Sequence, residues 1–534
     1  MASNSTSRGA IYEREAPEGC DFLVIGSGSG GSAAAGRLAG NSDARVVLLE
    51  SGGTHNRDDV SKPIGWVELL ESDANWGYET VPQEATLGRV HVWKMGKVLG
   101  GSSSVNGMMY MRGAQWDYDA WAEMGNEGWD SETVFGYFKK MEDYPEGDPD
   151  SRGTGGPVKL VKVAEKHPVI TSFLKACEET GWSRAGDFNG IDPEGYEVHQ
   201  LNVRDGKRQS SAVAFLDPLA DADNLTVLTD ATAQQIVLED GRVTEVVFKQ
   251  GEEIKRIRVE GEVIVSAGCI GSPQVLLLSG IGPKDQLEKL GIDVVLDLPA
   301  VGENLHDHIG VPVAFEASQP LPESEHQAVE VGMYCRSEPS KPHYDIQVPV
   351  QNFPFVPPGT DSYAIKDGFT FYPGIMKPKS RGRISLRSSD PNDRPLIDPA
   401  YLQHPDDLAL LTRALEVGRE VGQAHAFDEI RKREAQPGPD VTSAKDVELY
   451  IRERAATYFH PVGGCKMGSG DDAVVDERLK VRGVENLRVA DASVMPEIIS
   501  GNTNAPSMMI GWRAAEFALA EGSGKAGVEA SGKA

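Results

Sequence analysis

Cysteine is scarce in this chain and poorly placed for a bridge or a metal clip. The five residues, Cys20, Cys177, Cys269, Cys335 and Cys465, are scattered, odd in number and without a C-x-x-C pair. That usage reads as a reduced intracellular protein, and the expected location is cytoplasmic. Long apolar runs are missing too: none approaches the roughly 18 residues a membrane helix needs. The stretch Met1 to Cys20 mixes Ser, Arg, Glu and Pro without an apolar centre, so neither a signal peptide nor a membrane anchor is expected. Positive charge is in deficit, 53 Lys and Arg against 81 Asp and Glu for a net charge of -28, which repels a phosphate backbone and argues against nucleic-acid partners. No His, Asp or Glu cluster has metal-ligand spacing, so no metal is expected.

What is present suits a large globular enzyme: 534 residues, 40% hydrophobic, with 59 glycines. Phe22-Leu23-Val24-Ile25 reads as an apolar strand, Ser32 to Ala39 as a helix of small residues, and Val46 to Leu49 as a second strand, which together make one βαβ unit. Consecutive strands follow over 224–228, 233–239, 242–249 and 254–259, then a buried-type strand over 262–266, with a helix expected from Ser272. The stretch from about Gly310 to Thr442, with short alternating segments and several prolines, reads as a second, antiparallel unit. After a helix over 445–456 the chain returns to Gly-rich sequence, so the first unit is assembled from separated pieces. Residues 1–16 and 520–534 read as loose ends.

Between the first strand and helix lies Gly26-Ser27-Gly28-Ser29-Gly30-Gly31. In the spacing Gly26-x-Gly28-x-x-Gly31 the first glycine makes a tight turn, the second lets backbone approach a pyrophosphate, and the third lets helix pack on strand. Glu50 stands at the next strand end, about 20 residues beyond the third glycine, where a carboxylate can accept from ribose hydroxyls. These features imply a dinucleotide and leave FAD and NAD undistinguished.

The block Gly96 to Gly113, with Gly100-Gly101-Ser102-Ser103-Ser104-Val105-Asn106-Gly107 at its centre, resembles the first signature of the glucose, methanol and choline (GMC) flavin oxidoreductases. Gly268 to Gly282 resembles the second, departing at Cys269, and 301–308 and 487–496 are similar to further family segments. The resemblance spans roughly residues 20 to 520. It implies an α/β fold: a discontinuous Rossmann-type FAD-binding domain (17–157, 204–310 and 456–519) with an α+β substrate domain containing an antiparallel sheet (158–203 and 311–455). The cofactor implied is FAD. Gly100, Gly101 and Ser102 allow backbone to approach it, Asn106 contacts the ring edge, and Asp491 holds the pyrophosphate or ribityl end. Val105 stands where choline oxidases carry a histidine bonded to the flavin, so the FAD is expected to be non-covalent.

His460, in His460-Pro461-Val462-Gly463-Gly464, and Asn504, in Gly501-Asn502-Thr503-Asn504-Ala505-Pro506, match the segments that converge at the flavin, and the resemblance makes them the catalytic pair. Hydride loss from an alcohol requires that the hydroxyl proton leave as well, and a histidine can take it, with an effect of roughly 10²–10⁴ in rate. Asn504 would steady the substrate oxygen while hydride passes to flavin N5. His306 and His308 are read as structural. The expected substrate pocket contains Trp66, Gly310, Ala328, Val329 and Phe459. Choline oxidases have a glutamate at the position of Gly310 and paired tryptophans at Ala328 and Val329. Their absence argues against a quaternary ammonium and for a roomier pocket that takes a bulkier primary or secondary alcohol. O2 is the expected electron acceptor, with a quinone the alternative; a flavoprotein without redox turnover is the reading from a different class. The oligomeric state is left open, a homodimer being one option.

Overall fold

The computed structural model describes residues 10–12, 14–360 and 365–531, with backbone alone over 522–531. Two sheets organise the chain. The first is built on parallel strands: Leu225–Leu228, Val46–Leu49, Gly19–Ile25 and the C-terminal half of Glu253–Val265 lie side by side, with Leu487–Val489 on the far edge. A strict alternation of apolar and polar residues is absent from its central strands because both faces are covered; Val46–Leu49 is buried at every position. The helix Ser29–Gly40 packs against the C-terminal helix Asn504–Ser531, and its run of alanines and glycines permits the close approach.

The two strands expected over 254–259 and 262–266 are one strand of 13 residues, Glu253–Val265. Its first half pairs with the hairpin Ala231–Glu239 and Arg242–Gln250, and its second half enters the parallel layer. Gly261 lies between the two expected segments, where the strand continues through an irregularity that sets Glu260 and Gly261 opposite Asp21. The glycine answers to a close approach, since a Cβ there would strike the backbone of Asp21. The helix expected from Ser272 begins at Gly268 and carries Pro273 inside it, where one backbone hydrogen bond is lost.

Among the described residues the second sheet has nine strands, all antiparallel: Arg431–Gln436, Val313–Ala317, Gly368–Phe371, Ile346–Gln351, Gly374–Ile375, Ile309–Gly310 and Ala456–Thr457 in sequence across it, with Val331–Cys335 and Gly195–Val198 continuing from Ile346–Gln351. The amphipathic helices Pro168–Glu179 and Pro405–Gly422 cover it through Phe173, Leu411, Leu415 and Val421, all buried. Ile309–Gly310 and Ala456–Thr457 hydrogen-bond inside this sheet, although the sequence boundaries assign them to the first unit. Strands of two residues carry no periodicity from which to place them.

Both expected loose ends carry contacts. Ile11 is fully buried and its N–H donates to Ala220 O at 3.0 Å. At the other end the last helix runs on to Ser531, and Glu521 pairs with Arg478, Lys480 and Arg488 at 3.0, 2.6 and 2.9 Å.

Candidate active site

Each glycine of the first turn has a separate physical reason. Gly26 has φ +93°, and a Cβ on it would stand 2.5 Å from Ser266 O; a Cβ on Gly31 would overlap Gly26 O. Around Gly28 there is open space, and the helix it caps has no side-chain cap, so the free N–H groups of the first turn face a cavity. The Gly100-Gly101 loop lies against this turn: Gly100 has φ +92° and its N–H donates to Ser27 Oγ at 3.0 Å, and a Cβ on Gly101 would come within 2.7 Å of Gly28 Cα.

That cavity, about 540 Å³, runs from Gly26, Gly28 and Glu50 past Gly101, Ser102, Val105 and Asn106 to Trp66, Tyr458, Phe459, His460, Asn502 and Asn504. Its volume is in the range of cofactor and ligand sites. At the dinucleotide end Glu50 accepts from Ser27 N–H and Oγ–H at 3.0 and 2.5 Å and from Gly52 N–H at 2.7 Å. Burial raises its carboxyl, and these donors oppose the rise. Asp491 is likewise engaged, accepting from Gly268 N–H, Ser272 Oγ–H and Ser493 N–H at 2.8, 2.5 and 2.8 Å. Both carboxylates therefore brace the turns that face the cavity.

His460 is delivered by the pairing of two segments. Ile309 pairs with Thr457 and Gly310 with Ala456, Tyr458 N–H donates to His308 O at 2.9 Å, and His306 and Val462 exchange N–H···O bonds at 3.0 and 2.9 Å. Buried Asp307 holds the strand from beneath: it accepts from His460 N–H at 2.9 Å, from Thr457 Oγ1–H at 2.6 Å and from the Tyr401 hydroxyl. Burial pushes the Asp307 carboxyl up to about 7. Phe459 takes the left-handed φ of 62°, a conformation that costs a bulky residue of order 1–3 kcal/mol and turns the next side chain into the cavity. The His460 ring is buried with Nε2 at 3.0 Å from Asn502 Nδ2 and Nδ1 at 3.1 Å from His308 Nδ1. Burial brings its pKa down to about 3, so the ring is neutral and keeps a lone pair.

Comparison with known proteins agrees with this architecture. Family models described as GMC oxidoreductase match residues 20–310 and 378–511. The chain is a GMC oxidoreductase. It is 37% identical to an alcohol dehydrogenase [acceptor] of Pseudomonas putida over 93% of this chain and 95% of that one. It is 38% identical to an oxygen-dependent choline dehydrogenase of Brucella anthropi, with the same coverage. Among solved structures, pyridoxine 4-oxidase from Mesorbium loti superposes with a TM-score of 0.89 at 33% identity, covering 93% of this chain and 98% of that one. The enzyme is an FAD-dependent oxidoreductase of the alcohol-oxidising kind. The open helix N-terminus at Gly28 and the cavity beyond it fit that cofactor. Among the described residues no helix is long and apolar enough to cross a membrane, and no group of His, Cys, Asp or Glu could hold a metal ion.

Most of the expected site residues line one cavity, His460 and Asn504 among them, but their side chains have different partners. Asn504 is the first residue of the last helix, and its Oδ1 accepts from Ser29 Oγ at 2.6 Å. Asn502, two residues earlier, is the one beside His460, and its Oδ1 faces Gln347 Nε2 at 3.3 Å. Gly310 and Ala328 do not line the cavity, whereas Val329 and Trp66 do. The space beside Gly310 and Gly374 is filled by the Tyr458 ring, with which a Cβ on either glycine would collide. The pocket is thus not enlarged at Gly310. Sequence reasoning also missed Arg208, a buried guanidinium that holds the Ser103 to Asn106 loop through Asn106 Oδ1 at 3.0 Å and carbonyls of Ser103 and Asn106.

Proposed function

We propose that this oxidoreductase converts an uncharged, largely apolar primary or secondary alcohol to its carbonyl compound, with His460 as the base and Asn502 as the residue that holds the substrate oxygen. The carrying observation is the 3.0 Å pair of Asn502 Nδ2 and His460 Nε2 at the inner end of the cofactor cavity. Together they offer one donor and one acceptor. An alcohol hydroxyl inserted there donates its proton to Nε2 and accepts from the Asn502 amide, which suits the charge that grows on oxygen as the C–H bond breaks. FAD bound in the cavity supplies the hydride acceptor. Gly26 and Gly28 face its phosphates with Gly31 packed behind them, Glu50 and Asp491 brace the surrounding turns, and Gly101, Ser102 and Asn106 line the cavity, with Gly100 held against Ser27. Val105 is aliphatic and offers no nucleophile, which supports non-covalent attachment.

The substrate class follows from the walls. Trp66, Phe355, Tyr372 and Tyr458 form a continuous aromatic surface, with Phe355 to Tyr372 at 5.4 Å and Tyr372 stacked on Tyr458 at 4.9 Å. Trp66 Nε1–H is spent on Gln327 O at 2.7 Å, so the indole presents a carbon face. The carboxylates of the lining, Glu50, Asp393 and Asp491, are engaged by Ser27 and Gly52, by Ser388, and by Gly268 and Ser272, so a quaternary ammonium would have the ring faces that attract it but no free carboxylate to pair with. The one feature that favours a polar substituent is Gln351, buried in the lining with Oε1 unpartnered among the described residues. An alcohol with an aromatic or apolar body and a second hydrogen-bond donor fits best.

O2 is the proposed acceptor, in keeping with the oxidase and the oxygen-dependent dehydrogenase among the relatives; the acceptor-linked relative supports the quinone alternative. The test is an anaerobic panel of benzylic, pyridyl, aliphatic and quaternary ammonium alcohols, scored by bleaching of the yellow flavin, then admission of air or of a quinone. Bleaching by neutral aromatic alcohols and prompt recovery in air support the proposal. Preferential bleaching by choline would overturn the substrate class, and recovery only with quinone would overturn the acceptor.

A further inference from the structure

The ring that backs His460 has a hydrogen-bonding pattern that leaves little freedom. His308 is fully buried, with Nε2 at 3.1 Å from the Met376 carbonyl oxygen and Nδ1 at 3.1 Å from His460 Nδ1. A carbonyl oxygen can only accept, so Nε2 of His308 carries the hydrogen; the opposite assignment would set two lone pairs against each other. Burial beside His460 and Lys377 holds the His308 ring neutral, far below the usual histidine range. A neutral ring with its hydrogen on Nε2 has a bare Nδ1. Two bare nitrogens do not attract at 3.1 Å, so the hydrogen between the rings belongs to His460 Nδ1.

The other side of His460 leads to the same assignment. Asn502 Oδ1 faces the Gln347 amide, which turns the Asn502 Nδ2 donor toward His460 Nε2. A nitrogen that receives a donor must carry a lone pair. The line Asn502, His460, His308, Met376 O is therefore polarised in one direction, each group donating to the next.

We propose that His308 is the positioning residue of the catalytic base: it fixes His460 as the Nδ1–H tautomer, with the Nε2 lone pair directed at the substrate hydroxyl, and it accepts the bond from Nδ1 that strengthens when the ring becomes cationic. The proposal rests on His460 as base. In the step it serves, the substrate O–H bond breaks and an Nε2–H bond forms, while the substrate hydride leaves to the cofactor. The positive charge then lies on a ring that would be poorly solvated in this cavity, and the His308 Nδ1 acceptor is the nearest group able to stabilise it.

Two substitutions separate positioning from mere packing. His308→Asn places an amide oxygen near the position of Nδ1 and keeps the acceptor; His308→Gln places an amide nitrogen near the position of Nε2 and keeps only the strut to Met376 O. In the FAD-loaded enzyme, His308→Asn is expected to hold the rate of flavin reduction by a saturating alcohol within about threefold of the parent. His308→Gln is expected to lose at least about tenfold, with unchanged FAD content and KM. A role in packing alone gives the reverse order, or no effect from either, and overturns the proposal. The tautomer is read independently by long-range ¹H–¹⁵N correlation of histidine-labelled holoenzyme, with His460→Ala assigning the signal. A pyrrole-type Nδ1 and pyridine-type Nε2 at His460 are expected, and the opposite pattern in the parent enzyme overturns the proposal whether or not the variants fold. Loss of activity in His460→Ala with the opposite tautomer would leave the base in place and remove only the role of His308.

Discussion

Asn502 Nδ2 lies 3.0 Å from His460 Nε2, while the side chain of Asn504 points elsewhere, to the hydroxyl of Ser29. Both asparagines line one cavity, one against the His460 ring and the other against the first turn of the Ser29–Gly40 helix. Asn502→Ala is expected to slow anaerobic flavin reduction by about 10- to 100-fold, in line with the loss of one donor at a developing oxyanion, and to leave FAD in place. Asn504→Ala is expected to weaken FAD retention by about 5- to 10-fold, the worth of one hydrogen bond, with a smaller effect on the rate of the loaded enzyme. Stopped-flow reduction and FAD titration of the two apoproteins measure both.

Gln351 belongs to the cavity lining, and its buried Oε1 has no hydrogen-bond partner among the described residues. Gln351→Leu is expected to raise KM by about tenfold for alcohols with a second hydrogen-bond donor and to leave KM for simple benzylic alcohols unchanged or lower, since removing an unmet acceptor also removes its desolvation cost. Steady-state kinetics on matched substrate pairs check this.

Gly310 lies under the Tyr458 ring, so restoring a carboxylate there is not a route to choline turnover. Gly310→Glu alone is expected to destabilise the protein by about 1–3 kcal/mol through overpacking and to confer no choline activity. Thermal unfolding and a choline assay of the variant decide the point.

That position also shows where sequence reading stops. The glycine turn at Gly26, Gly28 and Gly31 is legible because its glycines answer to local demands: Gly26 takes a positive φ, Gly31 packs on Gly26, and Gly28 is left with open space beside it. The side chain over Gly310 comes from Tyr458, far along the chain, and only the pairing of Gly310 with Ala456 brings it there. Asn502 and Asn504 are not separable by pattern, because the choice depends on where the last helix begins: Asn504 is its first residue and faces the neighbouring helix terminus, whereas Asn502 lies in the preceding loop. His308 reads as structural in the sequence since a histidine in a loop carries no local sign of its partner. The βαβ unit and the antiparallel second sheet are visible in apolar runs and prolines, but the two-residue strands that complete the second sheet are not.

Burial lowers five histidines: His91, His306 and His460 to about 3, His199 to about 4, and His308 well below the usual range. A folded-state value below the unfolded value of about 6.5 means stability that is present above pH ~6.5 and lost as pH falls, since the unfolded chain binds protons first. Each contributes up to about 1.4 kcal/mol per pH unit below that point. Asp307 acts in the opposite sense: its raised carboxyl favours the fold at low pH, and that contribution is lost as pH rises from about 4 through about 7. Burial raises Glu50, Glu262 and Asp491 in the same sense as Asp307, and the five histidines outnumber these four, so the net expectation is a fall in stability between about pH 6.5 and about 5, measured by urea unfolding of the holoenzyme. A shallower slope in His306→Gln would match the assignment of that ring as a neutral strut between Asn304 O and Ile498 N–H, at 2.7 and 2.9 Å.

The central claim is that His460 takes the substrate proton. Its most direct test is anaerobic stopped-flow reduction of the flavin in His460→Ala by the best alcohol of the panel. The account predicts FAD bound at the parental level and a reduction rate lowered by about 10²-fold or more. A variant that retains its FAD and is reduced at the parental rate would contradict it.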